Sequence, residues 1–271
     1  MSTLTTELVS FIDQSKALVA KTQPIAAALP ANTVQVWPGG ATFTTIQAAI
    51  DSITNAGPQL QYQVAVGPGT YNENVVMKDY VYVIGADQDV TFITAAPQQN
   101  AAAGVVNSAS GGGISELTIN APGAGWGSWP IGIKICGNGK FHISGVNINS
   151  GAGATGDNAR GITNNTGSYA GNVIVGQSNI IVTGDAQTTC VGIELFGSDG
   201  LTIFIELTAI QCNGGAQNFG VSTAVNANAT LDDSKIIANT WALYNSDGTA
   251  PITANQCTID GPVSGGVVVN N

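Results

Sequence analysis

The chain repeats itself. Short runs opening on glycine recur at Gly104, Gly132, Gly161, Gly192 and Gly220, with a weaker copy at Ala242. A second series keeps step with the first: "SELTIN" from Ser115, "SGVNIN" from Ser144, "SNIIVT" from Ser178, "ELTAIQ" from Glu206, "DSKIIA" from Asp233 and "NQCTID" from Asn255. Two series advancing together by roughly 22–34 residues define one repeated unit with at least two short strands.

Such a unit, all strand and turn, does not suit leucine-rich, ankyrin or tetratricopeptide repeats. It suits one coil of a parallel β-helix, where each strand pairs with its equivalent in the next coil. A propeller needs four antiparallel strands per blade and longer, more even periods. The expectation is an all-β, single-stranded right-handed parallel β-helix of about eight coils, a rod roughly 40 Å long at strand spacing.

The residues ahead of the repeats read differently. Leu4, Leu8, Phe11, Ile12, Leu18 and Val19 fall near helical spacing, and Pro24 and Pro30 close the pattern. Residues 1–32 are therefore expected to be an amphipathic helix and linker, serving as a cap or an oligomerisation element. Residues 33–271 are expected to be the β-helix domain. Inside it, "TVQV" predicts a strand and Thr44 to Ile53 a second capping helix.

Composition narrows function by exclusion. Seventeen acidic residues against 7 basic ones give a net charge of −10, without the Lys and Arg clusters that nucleic acid or an anionic membrane requires. No run reaches the roughly 18 apolar residues of a membrane span. The opening "MSTLTTELVSFIDQSK" has no basic region followed by an apolar core. No leader is read there, and the compartment stays open among cytoplasmic, exported, and surface- or phage-associated. Cys136, Cys190, Cys212 and Cys257 show no metal-ligand spacing and His142 is the one histidine, so free buried thiols and neither metal nor cofactor are expected.

"GGATFTTIQAAIDSI", "GPGTYNENVVM" and "YVYVIGADQDVTFIT" together resemble the N-terminal region of pectinesterases, the pectin methylesterase family, with Gly69, Tyr71 and Glu73 as its Gly-x-Tyr-x-Glu element. A weaker similarity continues through residues 116–149. The resemblance implies a β-helix whose helix covers the first coil. It also implies a site that this sequence does not fill. Pectinesterases set an oxyanion-stabilising Gln at the start of the strand matching "PIGIKI", where Trp129, Pro130 or Ile131 stands here. Their Asp-Phe-x-Phe-Gly strand, with a second Asp as partner, has only "GDNARGITNN" nearby. Their Arg-Pro-Trp element, whose Arg orients the nucleophilic carboxylate, has no counterpart, Arg160 being the sole arginine. Loss of one such electrostatic group costs about a hundredfold or more, so the family's ester hydrolysis is not expected.

Alternation along the repeated strands sends Ile133 and Ile135 inward and Lys134 outward, and by the same parity Thr163, Glu194, Ser222 and Tyr244. These five form the candidate ligand-binding ladder, with Lys134 and Glu194 the weak candidates for catalysis. Solvated polar side chains on an exposed sheet face are its plainer reading. Gly132, Gly161, Gly192 and Gly220 beside it suggest a flat surface open to an extended ligand. Trp126 and Trp129, in "APGAGWGSWPIG", are candidate stacking platforms or a plug over the rod. His142 is read as structural, and Asp157, Asp185, Asp199 and Asp232-Asp233 as turn residues. Three functions stay open: a non-catalytic module for polysaccharide or surface assembly, a carbohydrate-active enzyme with a non-standard site, and a subunit that self-assembles through its N-terminal helix or its rod ends.

Overall fold

A computed structural model describes residues 32–271 apart from 97, 100–102, 124–127, 152–157, 165–169, 197–199, 225, 247, 249–250 and 271. The expected N-terminal helix, Trp126, Asp157 and Asp199 lie outside the described residues.

Each turn of the chain contributes strands that pair in parallel with their equivalents one turn later, and the strands sort into three ladders. The first runs through Thr33–Val36, Tyr62–Val66, Val81–Gly85, Gly111–Pro122, Lys140–Gly151, Gly171–Gly176, Leu201–Glu206, Asn228–Asp232, Ile252–Asn255 and Val267–Asn270. The second takes Gly69–Asn72, Thr91–Thr94, the far halves of Gly111–Pro122 and Lys140–Gly151, then Asn179–Thr183, Ala209–Asn213, Lys235–Ala238 and Thr258–Asp260. The third takes Val75–Val76, Val106–Asn107, Ile131–Lys134, Asn158–Thr163, Thr189–Phe196, Gln217–Ala224 and Trp241–Asn245. This is the parallel β-helix the repeats predict. It makes about six turns rather than eight, since strands at either end do not complete a turn.

A one-residue corner joins the first ladder to the second. Glu116, Gly145, Gln177, Leu207, Asp233 and Gln256 sit there with φ between 45° and 61°, a left-handed conformation that is costly for a side chain with a Cβ. Backbone bonding through the corner offsets the cost: the N–H of Gln177 donates to Glu206 O at 3.1 Å and that of Leu207 to Asp232 O at 3.2 Å. The following hydroxyls finish the work. Ser178 donates to Gly176 O and accepts from the N–H of Val146, and Ser234 donates to Asp232 O and accepts from the N–H of Thr208. Register therefore aligns Gly176 and Asp232 with Ser144, shifting the second series from Ser178 and Asp233. In the first series it aligns Val105, not Gly104, with Gly132, since Val106 pairs with Ile133.

The core is the rod's interior. Ile148, Ile180, Ile210 and Ile236 stack in register on the second ladder, all fully buried. Across from them stand Gly132, Gly161, Gly192 and Gly220. A Cβ at any of these would overlap the methyl of Ile148, Ile180, Ile210 or Ile236 respectively. The glycine column thus faces inward and lets the isoleucine ladder in. This corrects the flat outer surface expected from it; the glycines are a packing device.

The N-terminal end explains the family-like phrase. Helix Ile46–Ser52 buries Ile46, Ala49 and Ile50. Thr45 accepts from the N–H of Ala48 at 3.3 Å, while the Glu73 carboxylate accepts from those of Ile46 and Gln47 at 2.8 and 2.9 Å. Lys78 Nζ donates to the C-terminal carbonyls of Ile50 and Ile53. An anion at the start and a cation at the end suit the orphan groups and the dipole of a helix. Tyr71, buried, donates from its hydroxyl to Gly67 O at 2.9 Å. Gly69, Tyr71 and Glu73 therefore build the scaffold rather than a reaction site.

All four cysteines are free, with Cys190 and Cys212 buried and Cys136 and Cys257 half-buried. Among the described residues no helix is long and apolar enough to cross a membrane.

Candidate functional site

The outer side of the third ladder brings the expected ladder residues into line. Lys134 pairs in register with Thr163, Thr163 with Glu194, Glu194 with Ser222 and Ser222 with Tyr244, with Asn107 preceding Lys134. Lys134 and Glu194 are thus two strands apart on one face. Their surroundings differ from the expected solvated stripe: Lys134, Thr163 and Glu194 are 6%, 0% and 8% exposed. Ser222 and Tyr244 are half-buried.

Arg160 and Trp129 account for the covering at Glu194. The Nε of Arg160 donates to Glu194 Oε2 at 2.5 Å, and the Thr163 hydroxyl donates to the same oxygen at 3.3 Å. Arg160 Nη1 also donates to the carbonyls of Ala159 and Thr189, each at 3.2 Å. Above the guanidinium lies the Trp129 ring, with its centroid 5.1 Å from Cζ. Trp129 is not in a free loop: Ser128–Trp129 forms a short antiparallel pair with Gln98–Gln99. The glycines make room for this arrangement. In Asn158–Thr163, Ala159 and Ile162 join the core and Gly161 faces the isoleucines, which leaves Arg160 outside beside Thr163.

Arg160 opens a second outer column that the sequence reading passed over. Ile131, Arg160, Val191, Phe219 and Trp241 share one register position. None of the five belongs to the main core cluster. Each precedes its ladder partner by the same short interval, as Arg160 precedes Thr163 and Trp241 precedes Tyr244, and that constant offset is the signal that finds them. Toward the C-terminal turns the two columns form an aromatic cluster: the Tyr244 ring lies 5.3 Å from that of Phe219 and 5.6 Å from that of Trp241. A third outer column, Asn158, Thr189 and Gln217, adds amides and a hydroxyl. The exposed Phe196 stands at the end of its strand, its backbone held by the Asn164 amide through two hydrogen bonds.

Chemically the face is rich in platforms and poor in acids. Glu194 is the one carboxylate in the third ladder's strands. The nearby Asp185 accepts from the Thr188 hydroxyl at 2.6 Å and the N–H of Gln187 at 3.0 Å, bonds that hold its carboxyl below the ordinary range. Cys190 and Cys212 lie beneath the face, and burial raises both thiols, Cys190 to about 11. Neither is a thiolate nucleophile at neutral pH. Among the described residues no three His, Cys, Asp or Glu side chains gather as metal ligands.

His142 lies on the first ladder, away from this face. With Tyr80, Tyr82 and Lys140 it lines a shallow depression of about 320 Å³. Burial first, and then Lys140, lower its pKa below 6.5.

Neither a known protein family nor a curated protein matches the sequence. Solved structures do match in fold. The structure of carrot pectin methylesterase superposes with a TM-score of 0.57 at 14% identity, covering 90% of this chain and 89% of that one. Pectin methylesterase PemA from Erwinia chrysanthemi gives 0.48 at 10% identity, covering 90% and 94%. The Aspergillus niger pectin methylesterase gives 0.46 at 13%, covering 90% and 82%. The carrot match shows a shared fold.

Proposed function

We propose that the chain is a non-catalytic β-helix module that binds glycan along the outer side of its third ladder. The carrying observation is the state of Glu194. Hydrolysis by acid–base chemistry calls for a carboxyl pair, or a carboxylate and a second proton carrier, converging on one bond. Here the ladder's one carboxylate is buried against Arg160 and Thr163, and the described strands bring no second acid to it. Phe219, Trp241 and Tyr244 supply instead the half-buried aromatic surface on which sugar rings stack. Successive turns recur at about 4.8 Å, comparable with one pyranose unit, so an extended glycan laid along the rod meets one turn per sugar.

A glycan array with the parent chain and Trp241→Ala, Phe219→Ala and Trp129→Ala tests this reading. Binding that weakens in the aromatic variants supports it, and unchanged signals reject the face. A second reading, an esterase with Glu194 as nucleophile, draws on the Arg160–Glu194 contact, since an arginine also orients the nucleophilic carboxylate that the family resemblance implies. Turnover of methylated pectin that disappears in Glu194→Gln would favour it over the binding module.

The setting we infer is extracellular or surface-associated, where glycans are met. Assembly through the rod's end draws support from Val267–Asn270, which among the described residues pairs on one side only and exposes Val268 and Val269. Light scattering with and without residues 1–30 tests the N-terminal route, and a monomer in both cases rejects it.

A further inference from the structure

The charge of the proposed binding face selects among glycans. Of the 7 basic residues in the chain, Lys16 and Lys21 lie outside the described residues. Lys78 is committed to the carbonyls of Ile50 and Ile53. Lys140 and Lys235 belong to strands of the first and second ladders. The remaining two, Lys134 and Arg160, are on the third ladder and are only 6% and 5% exposed, with Arg160 neutralised by Glu194. The described outer surface of this ladder therefore presents no accessible cation. It presents aromatic rings, the amides of Asn158 and Gln217, and the hydroxyls of Thr189 and Ser222.

Building on the glycan-binding reading, we infer that the ligand is a neutral glycan, without carboxylate, sulfate or phosphate groups. A polyuronate carries about one negative charge per sugar, and this chain carries −10 itself. With no cation to meet those charges, each carboxylate brought onto the face loses hydration and gains no ion pair. Long-range repulsion adds to that cost at low ionic strength. A neutral chain meets neither penalty, and its hydroxyls match the amides and hydroxyls of the outer columns.

One polymer tests the point. Homogalacturonan in fully methyl-esterified and fully de-esterified forms differs in charge on an otherwise common backbone, and neutral xylan, glucan and galactan oligosaccharides widen the neutral set. Affinities are measured at low and high salt for the parent chain, Trp241→Ala and Gln217→Lys. At least one neutral probe is expected to bind with little salt dependence, and to weaken about tenfold in Trp241→Ala, a step of about 1.4 kcal/mol. The de-esterified polymer is expected to bind at least about tenfold more weakly than that probe. Gln217→Lys, which sets a cation on the exposed Gln217 position, is expected to raise de-esterified polymer affinity in a salt-sensitive way. Preferential binding of the de-esterified polymer that depends on Trp241 overturns neutrality and keeps the binding face. Failure of every probe, or binding indifferent to Trp241→Ala, overturns the face itself.

Discussion

The third ladder has two sides made by the same strands, and they follow different rules. On the inner side Gly132, Gly161, Gly192 and Gly220 hold one residue type through four turns, because the same Ile methyl approaches each of them. On the outer side Ile131, Arg160, Val191, Phe219 and Trp241 change character at every turn of one column. Volume allows one answer inside, whereas outside each turn has only its immediate neighbours to satisfy. The β-helix thus separates the part of a strand that must repeat from the part free to carry specificity.

Changes on the two sides break this contrast in different measurements. The largest expected effect is at the buried ion pair. Glu194→Ala leaves the Arg160 guanidinium buried without its carboxylate, and a loss of about 3–5 kcal/mol is expected in denaturant unfolding. A smaller loss would mean that Arg160 swings to solvent. Next is Gly192→Ala, which pushes a methyl onto Ile210 and should cost about 1–3 kcal/mol. Combined with Ile210→Ala, which removes the approaching Cγ2 methyl, Gly192→Ala should cost less than it does alone, and strictly additive losses would refute the pairing of glycine with isoleucine.

Trp241→Ala should reverse the pattern, with glycan affinity falling about tenfold while stability falls less than in Glu194→Ala. The smallest effect concerns His142. Its folded pKa is lowered, so the unfolded chain binds the proton more readily, and stability declines as pH falls through 6.5 and below. His142→Gln should flatten that decline in Tm, and an unchanged slope would assign the pH response to other groups.

Much of this was legible in the text of the chain, for identifiable reasons. The Lys134-to-Tyr244 alignment followed from strand parity and from the glycine step, both local and repeated. Helix Ile46–Ser52 followed from apolar spacing, and the pectinesterase-like phrase pointed to the fold that the carrot enzyme's structure shares. Coil number was overestimated because strand-like text at the ends does not make full turns. The inward side of the glycines is not legible, because a glycine leaves no side chain by which parity can be read. Arg160 matches no element of the family resemblance, and its partner lies 34 residues away, beyond the reach of any local pattern.

The sequence alone determined the parallel stacking and the alignment from Lys134 to Tyr244, because each strand's pattern recurs one turn later and a slip would turn its apolar residues to water. The structure, by contrast, set the register at Val105, Gly176 and Asp232. Tertiary structure alone decided that Glu194 is neutralised, that Trp129 lies over Arg160 and that Phe219, Trp241 and Tyr244 meet. Those contacts depend on side-chain reach between columns and turns, a distance in space that no local pattern encodes.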